Sequence, residues 1–224
     1  MNKFIEEHGL ITIIRNIELV QIPIVVNALY DGGARVVEVA FNPSDPNTIE
    51  KTTAIIRRIN EVMGDKLMVG AGTVISEEFL NAAFEAKAKF IFSPNTDIEI
   101  IKKTKELGMI SIPGALTPSE IMNAYNAGAD LIKLFPITKN EIDYVINVTR
   151  PLSHIPFICV GGTNIDTIEL FIKAGAKGVG TGISILKPEL IDTNNYSEIA
   201  KLTKQHLEKI AEARKGDNQW RWHG

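Results

Sequence analysis

Short apolar runs rich in β-formers recur eight times along this chain, at 11–14, 36–41, 67–69, 90–92, 109–112, 131–135, 157–160 and 178–180. Each is followed by a longer stretch with helical spacing, at 19–30, 48–62, 77–86, 98–107, 118–127, 141–148, 165–174 and 196–214. Eight strand-helix units in regular alternation predict an α/β fold in which parallel strands close on themselves, a (β/α)8 TIM barrel. A single barrel domain over 1–215, with a short N-terminal helix before its first strand, and a C-terminal tail over 216–224 account for the whole chain. An open doubly wound sheet also alternates strands and helices, but it usually has fewer strands and often a glycine-rich first turn. Here that turn is Arg15-Asn16-Ile17.

Punctuation supports the units. Asp31-Gly32-Gly33-Ala34, Leu107-Gly108, Ala127-Gly128-Ala129 and Ala174-Gly175-Ala176 place glycine where helices end. Thr117-Pro118-Ser119-Glu120 reads as an N-cap, a first-turn proline and a capping-box glutamate.

Composition narrows the function. Among 224 residues, 45% are hydrophobic and 23% charged, which excludes a disordered or fibrous chain. The net charge of −3, without a long run of either sign, gives no footprint for nucleic acid or an anionic membrane. One cysteine, Cys159, forms no disulfide within the chain, and the four histidines lack paired metal spacing. A reducing cytoplasm and a mechanism without metal or organic cofactor are the expectations. The N-terminus MNKFIEEHGL lacks a long apolar stretch, so neither a secretory signal nor a membrane span is expected.

In such barrels chemistry sits at the C-terminal ends of the strands. Lys133 lies inside the sixth run, where burial disfavours the ammonium and lowers its pKa. A neutral amine attacks carbonyls, so Lys133 reads as a Schiff-base lysine, or else as a lysine paired with an interior carboxylate or reaching the barrel rim. Glu38 is the matching acid in the second run. Strands two and six share parity, so the two side chains can meet, either as nucleophile and proton carrier or as a buried ion pair.

The seventh and eighth runs end in Val160-Gly161-Gly162-Thr163-Asn164 and Gly180-Thr181-Gly182-Ile183-Ser184, glycine turns suited to a phosphate. Simple steric demands also produce such turns. Arg15, at the end of the first strand, can grip a phosphate or carboxylate, or be a solvated charge. In Gly70-Ala71-Gly72-Thr73 the glycines admit a substrate while Thr73 offers a hydroxyl. Cys159 reads as a small buried hydrophobe.

Together these segments resemble the KHG/KDPG aldolase family over nearly the whole chain. The resemblance rests on Val37-Glu38-Val39, Val69-Gly70-Ala71-Gly72-Thr73-Val74, Phe92-Ser93-Pro94-Asn95, Ile112-Pro113-Gly114-Ala115-Leu116-Thr117-Pro118-Ser119-Glu120, Lys133-Leu134-Phe135-Pro136 and Gly161-Gly162, in the family's order. It implies a class I aldolase that cleaves phosphorylated 2-keto-3-deoxy sugar acids to pyruvate and glyceraldehyde 3-phosphate, needs no cofactor and assembles as a homotrimer. By resemblance Lys133 is the Schiff-base lysine, Glu38 the acid/base and Thr73 a pyruvate-binding hydroxyl. Arg15, Asn42, Pro94, Gly161, Gly162, Gly182 and Ser184 complete the expected substrate contacts.

Two departures bear on the substrate. Asn42 stands where gluconate-type members carry arginine, and Val160 where they carry threonine before the double glycine. Asn42-Pro43 and Ser93-Pro94-Asn95-Thr96-Asp97 look more like the branch acting on the galactonate epimer, which differs only at C4. The eighth-strand motif of relatives puts serine where this chain has Ile183, with Ser184 following, leaving open a hydroxyl or a purely backbone phosphate contact. Different readings of the same barrel are a phosphosugar isomerase or epimerase, and a non-catalytic phosphosugar-binding protein.

Overall fold

The computed structural model describes residues 2–216. Nine parallel strand segments, β1 (Leu10–Ile14), β2 (Val36–Ala40), β3 (Met68–Gly72), β4 (Phe90–Phe92), β5 (Ile110–Ile112), β6 (Gly114–Ala115), β7 (Ile132–Ile137), β8 (Phe157–Gly161) and β9 (Gly178–Thr181), form one sheet. Its order is β5-β4-β3-β2-β1-β9-β8-β7-β6. The helices are α1 (Asn2–His8), α2 (Ile22–Asp31), α3 (Thr48–Met63), α4 (Glu77–Glu85), α5 (Ile98–Glu106), α6 (Pro118–Asn126), α7 (Ile142–Thr149), α8 (Ile168–Lys173), α9 (Pro188–Asp192) and α10 (Tyr196–Lys215).

The two ends of that order are one broken strand. The expected fifth strand splits at Pro113, which has no N–H to give to a ladder. β5 pairs with β4, β6 pairs with β7, and the seam is closed by the Asp130 N–H donating to Ser111 O at 2.9 Å and the Lys133 N–H donating to Pro113 O at 2.9 Å. The fold is therefore an α/β barrel with eight strand positions, and the open doubly wound sheet is set aside.

Strand alternation divides the core into two layers. Ile11, Val36, Phe90, Phe92, Leu131 and Ile158 pack inside the barrel, while Leu10, Ile14, Val37, Val39, Ile132 and Leu134 face the helices. From α1, Ile5 joins the inner layer at 1% exposure, a burial worth about 1.5–3 kcal/mol. The inner layer thus has an apolar floor, and the inward positions nearer the C-terminal strand ends are left to Glu38 and Lys133.

Local chemistry moves some boundaries from their expected places. α2 starts at Ile22 rather than 19, because Pro23 fits only the first turn of a helix. α8 starts at Ile168 rather than 165, where Asn164 accepts from the Asp166 N–H and the Thr167 hydroxyl accepts from the Asn164 N–H. Those side-chain bonds give the backbone an alternative to helix. The capping box at Thr117 and Glu120 forms as read from the sequence, with Glu120 accepting from the Thr117 N–H at 2.7 Å. The short α9, led by Pro188, was not anticipated. Trp220 and Trp222, in the tail expectation, lie outside the described residues.

Candidate active site

Lys133 and Glu38 reach the same cavity because each occupies an inward position of its strand. Val37 and Val39 flank Glu38 and pack outward, as Ile132 and Leu134 do around Lys133. The cavity, about 660 Å³, opens at the C-terminal strand ends and is also lined by Arg15, Thr73, Pro94 and Phe135.

Glu38 is 2% exposed and Lys133 8%. Burial pushes the Glu38 carboxyl up to about 7, against the opposing pull of Lys133 and Arg15. Burial pulls the Lys133 ammonium down to about 8, the Glu38 carboxylate opposing that change and Arg15 adding to it. The ammonium lies over the rings of Phe92 and Phe135, 4.4 and 4.5 Å from their centroids, contacts that favour its charged form. The charge on each group thus bears on the protonation of the other.

Glu38 has room for its carboxylate because residue 72 is glycine. A Cβ built at Gly72 would stand 1.2 Å from Glu38 Oε1. Next to it, Thr73 adopts φ +58°, a left-handed conformation that a β-branched residue rarely takes and that marks strain held at a site. Its N–H donates to Phe92 O at 2.9 Å, and its hydroxyl accepts from Arg15 Nη2 at 3.4 Å. Arg15 and Thr73 thereby form a polar corner beside the lysine.

On the other side the wall is backbone. Gly161 has φ +138°, and a Cβ there would come within 2.2 Å of Ile137 O. Gly182 lines the cavity with Gly180 and Thr181. Among the described residues, the N–H groups of Gly182, Ile183 and Ser184 donate to no backbone carbonyl, whereas those of Ile185 and Leu186 both donate to Gly182 O.

The remaining expected contacts lie elsewhere. Asn42 lines an adjoining pocket of about 480 Å³ that shares Asn16 and Ile17 with the main cavity. The Gly162 N–H is committed to Ile137 O at 2.7 Å. The Ser184 hydroxyl bonds to Thr181 and His206. Three features of the cavity escaped sequence reasoning. Phe135 was legible from alternation, since it lies two residues beyond Lys133 on one strand face. Asn16, at φ +54°, and Asp192 of α9 gave no local signal.

A parallel barrel that buries an amine and an acid at one cavity has the groups that enzymatic chemistry at a carbonyl uses. A sequence model of the KDPG and KHG aldolases matches residues 1–202. The chain belongs to that family and is an aldolase, a carbon–carbon lyase. It is 29% identical over 202 residues to the 2-dehydro-3-deoxy-6-phosphogalactonate aldolase of Escherichia coli (strain K12), covering 90% of this chain and 96% of that protein. A solved native KDPGal structure superposes with a TM-score of 0.82 at 28% identity, covering 92% of this chain and 96% of the other. The KDPG aldolase of Legionella pneumophila, captured with pyruvate as a covalent carbinolamine, shares the fold with a TM-score of 0.81 at 24% identity, over 92% and 98% of the two chains.

Proposed function

We propose that Lys133 is the nucleophile and Glu38 the proton carrier of a class I aldolase acting on 2-dehydro-3-deoxy-6-phosphogalactonate, on its gluconate epimer, or on both. The observation that supports this most is the placement of both groups, buried and oppositely shifted, at one cavity. The neutral Lys133 Nζ attacks the C2 ketone, and Glu38 protonates the departing oxygen as the carbinolamine loses water. Glu38, now a carboxylate, takes the C4 hydroxyl proton. The C3–C4 bond breaks, its electrons enter the iminium, and the aldehyde leaves while an enamine of pyruvate remains. Protonation at C3 and hydrolysis free pyruvate and the amine. No metal or organic cofactor enters these steps.

Arg15 and Thr73 hold the carboxylate end, and Pro94 fills the wall beside them. The glycine turns at Gly161 and Gly182 receive the phosphate through backbone N–H groups. With its N–H committed to Ile137, Gly162 serves by admitting the phosphate closely, and Asn42 acts from the adjoining pocket on the sugar hydroxyls. The family resemblance supports a homotrimer, which a solution mass checks, and the lone cysteine accords with a cytoplasmic location.

Borohydride reduction in the presence of pyruvate should leave a covalent adduct on Lys133. An active aldolase with no adduct at that lysine would sink the mechanism and place the nucleophile elsewhere. Cleavage rates on the gluconate phosphate, the galactonate phosphate and unphosphorylated 4-hydroxy-2-oxoglutarate, measured side by side, rank the substrates.

A further inference from the structure

Behind the turn at 180–184 runs a hydrogen-bonded chain that the reaction above does not use. His206, on α10, is 1% exposed, and its Nδ1 lies 2.7 Å from Leu202 O. A carbonyl only accepts, so Nδ1 carries the hydrogen. Nε2 stands 3.0 Å from Ser184 Oγ, which stands 2.7 Å from Thr181 Oγ, which donates to Thr163 O at 3.0 Å. Thr163 in turn donates its hydroxyl to Gly180 O at 2.5 Å. The chain thus ties α10 to the turns that follow β9 and β8, beside Gly182 and Ile183, which line the cavity and donate to no backbone carbonyl.

Counting hydrogens assigns the Ser184 hydroxyl. Four links run between the two accepting carbonyls, Leu202 O and Thr163 O, and three groups, His206, Ser184 and Thr181, supply their hydrogens, so one hydrogen is shared between two links. Burial holds the His206 imidazole below its ordinary pKa, the Leu202 bond opposing, so the neutral ring supplies one hydrogen. With Nδ1–H spent on Leu202, Nε2 is an acceptor, and the one hydrogen of Ser184 goes to it. The Thr181 hydroxyl has one hydrogen for two neighbours, Thr163 O and Ser184 Oγ, and Ser184, its own hydrogen given to Nε2, can only accept it. Ser184 therefore has no hydrogen left for an anion in the cavity.

We propose that His206 and Ser184 are positioning residues that brace the turn at 180–184 from behind, so that the N–H groups of Gly182, Ile183 and Ser184 hold a phosphate with no hydroxyl contact from Ser184. The inference rests on the phosphate reading above and deepens it. It also gives Ile183 a place: 77% exposed, it contributes its backbone while the serine that follows it is drawn inward to the histidine.

The test compares binding of glycerol 3-phosphate with glycerol by calorimetry, alongside borohydride trapping of pyruvate on Lys133. Wild type should prefer glycerol 3-phosphate. His206→Ala should weaken that ligand tenfold or more while pyruvate trapping stays at the wild-type rate. His206→Gln, whose amide can still accept from Ser184, should recover most of the loss. Ser184→Ala should match His206→Ala, and the double variant should lose no more than either, as expected of one unit. Should His206→Ala fail to fold, His206→Gln and Ser184→Ala keep the comparison.

Loss of phosphate affinity in Ser184→Ala with none in the His206 variants would make Ser184 a direct ligand and overturn the brace. Equal losses in pyruvate trapping and phosphate binding would reduce His206 to general stability. A wild type without preference for glycerol 3-phosphate would refute the phosphate reading itself, while trapping at Lys133 would still stand.

Discussion

The floor of the cavity and its glycine rim solve opposite problems with opposite materials. At the floor the material is side chains: an amine and a carboxyl are buried, so the proton affinity of each moves towards neutrality, as the proposed carbonyl chemistry requires. At the rim Gly161, Gly180 and Gly182 have no side chain, and they line the cavity together with Thr181 and Ile183. A substitution at the floor should therefore change rate, and one at the rim should change affinity and stability.

The largest expected effect is at Lys133. Lys133→Ala should lower kcat/KM by on the order of 10⁴-fold and abolish pyruvate trapping, measured by steady-state kinetics and mass spectrometry of the reduced enzyme. Retained trapping in that variant would move the nucleophile elsewhere.

Glu38→Gln should cost about 10²–10⁴-fold in kcat with a smaller change in KM. It should also shift the pH profile in a definite direction. The Glu38 carboxylate raises the Lys133 pKa, so removing the charge lets that pKa fall below its present value near 8. The rate of pyruvate trapping, which rises as the amine loses its proton, should then have its midpoint at lower pH than in wild type. A midpoint moving upward would separate the two groups.

Gly72→Ala tests how far the floor depends on a missing side chain. The added carbon collides with Glu38 Oε1, and displacing that carboxylate by about 1 Å should cost up to about 10²-fold in kcat. Gly161→Ala is the rim's counterpart and the smallest in rate. Its φ of +138° and the 2.2 Å approach to Ile137 O should cost about 1–3 kcal/mol in a denaturant titration. KM for the phosphorylated substrate should rise while pyruvate trapping persists.

The same contrast decides what the sequence disclosed. Lys133 and Glu38 stood out because charge inside an apolar run is unusual, and the parity of their strands was enough to bring them together. The barrel was legible from repeated units, although Pro113 divides one strand and Pro23 delays one helix. At the rim, glycine signals that something approaches closely but not which N–H groups remain free. Gly162 and Ser184 looked as suitable as Gly182 until their hydrogen bonds were seen. The His206 contact joins residues on separate elements, so no local pattern could reveal it. The short α9, carrying Asp192 to the mouth, offered only a proline as a start signal.

The carboxylate of Glu38 lives in space that belongs to another residue's side chain. Positions 38 and 72 are therefore sterically one unit. A lineage that gains a side chain at 72 must shift the acid at 38 from its place or shorten it. One that shortens Glu38 to aspartate leaves a hole that only a change across the neighbouring strand can fill. Descendants of this enzyme are free to explore its glycine rim one residue at a time, but its floor can be rebuilt only in pairs.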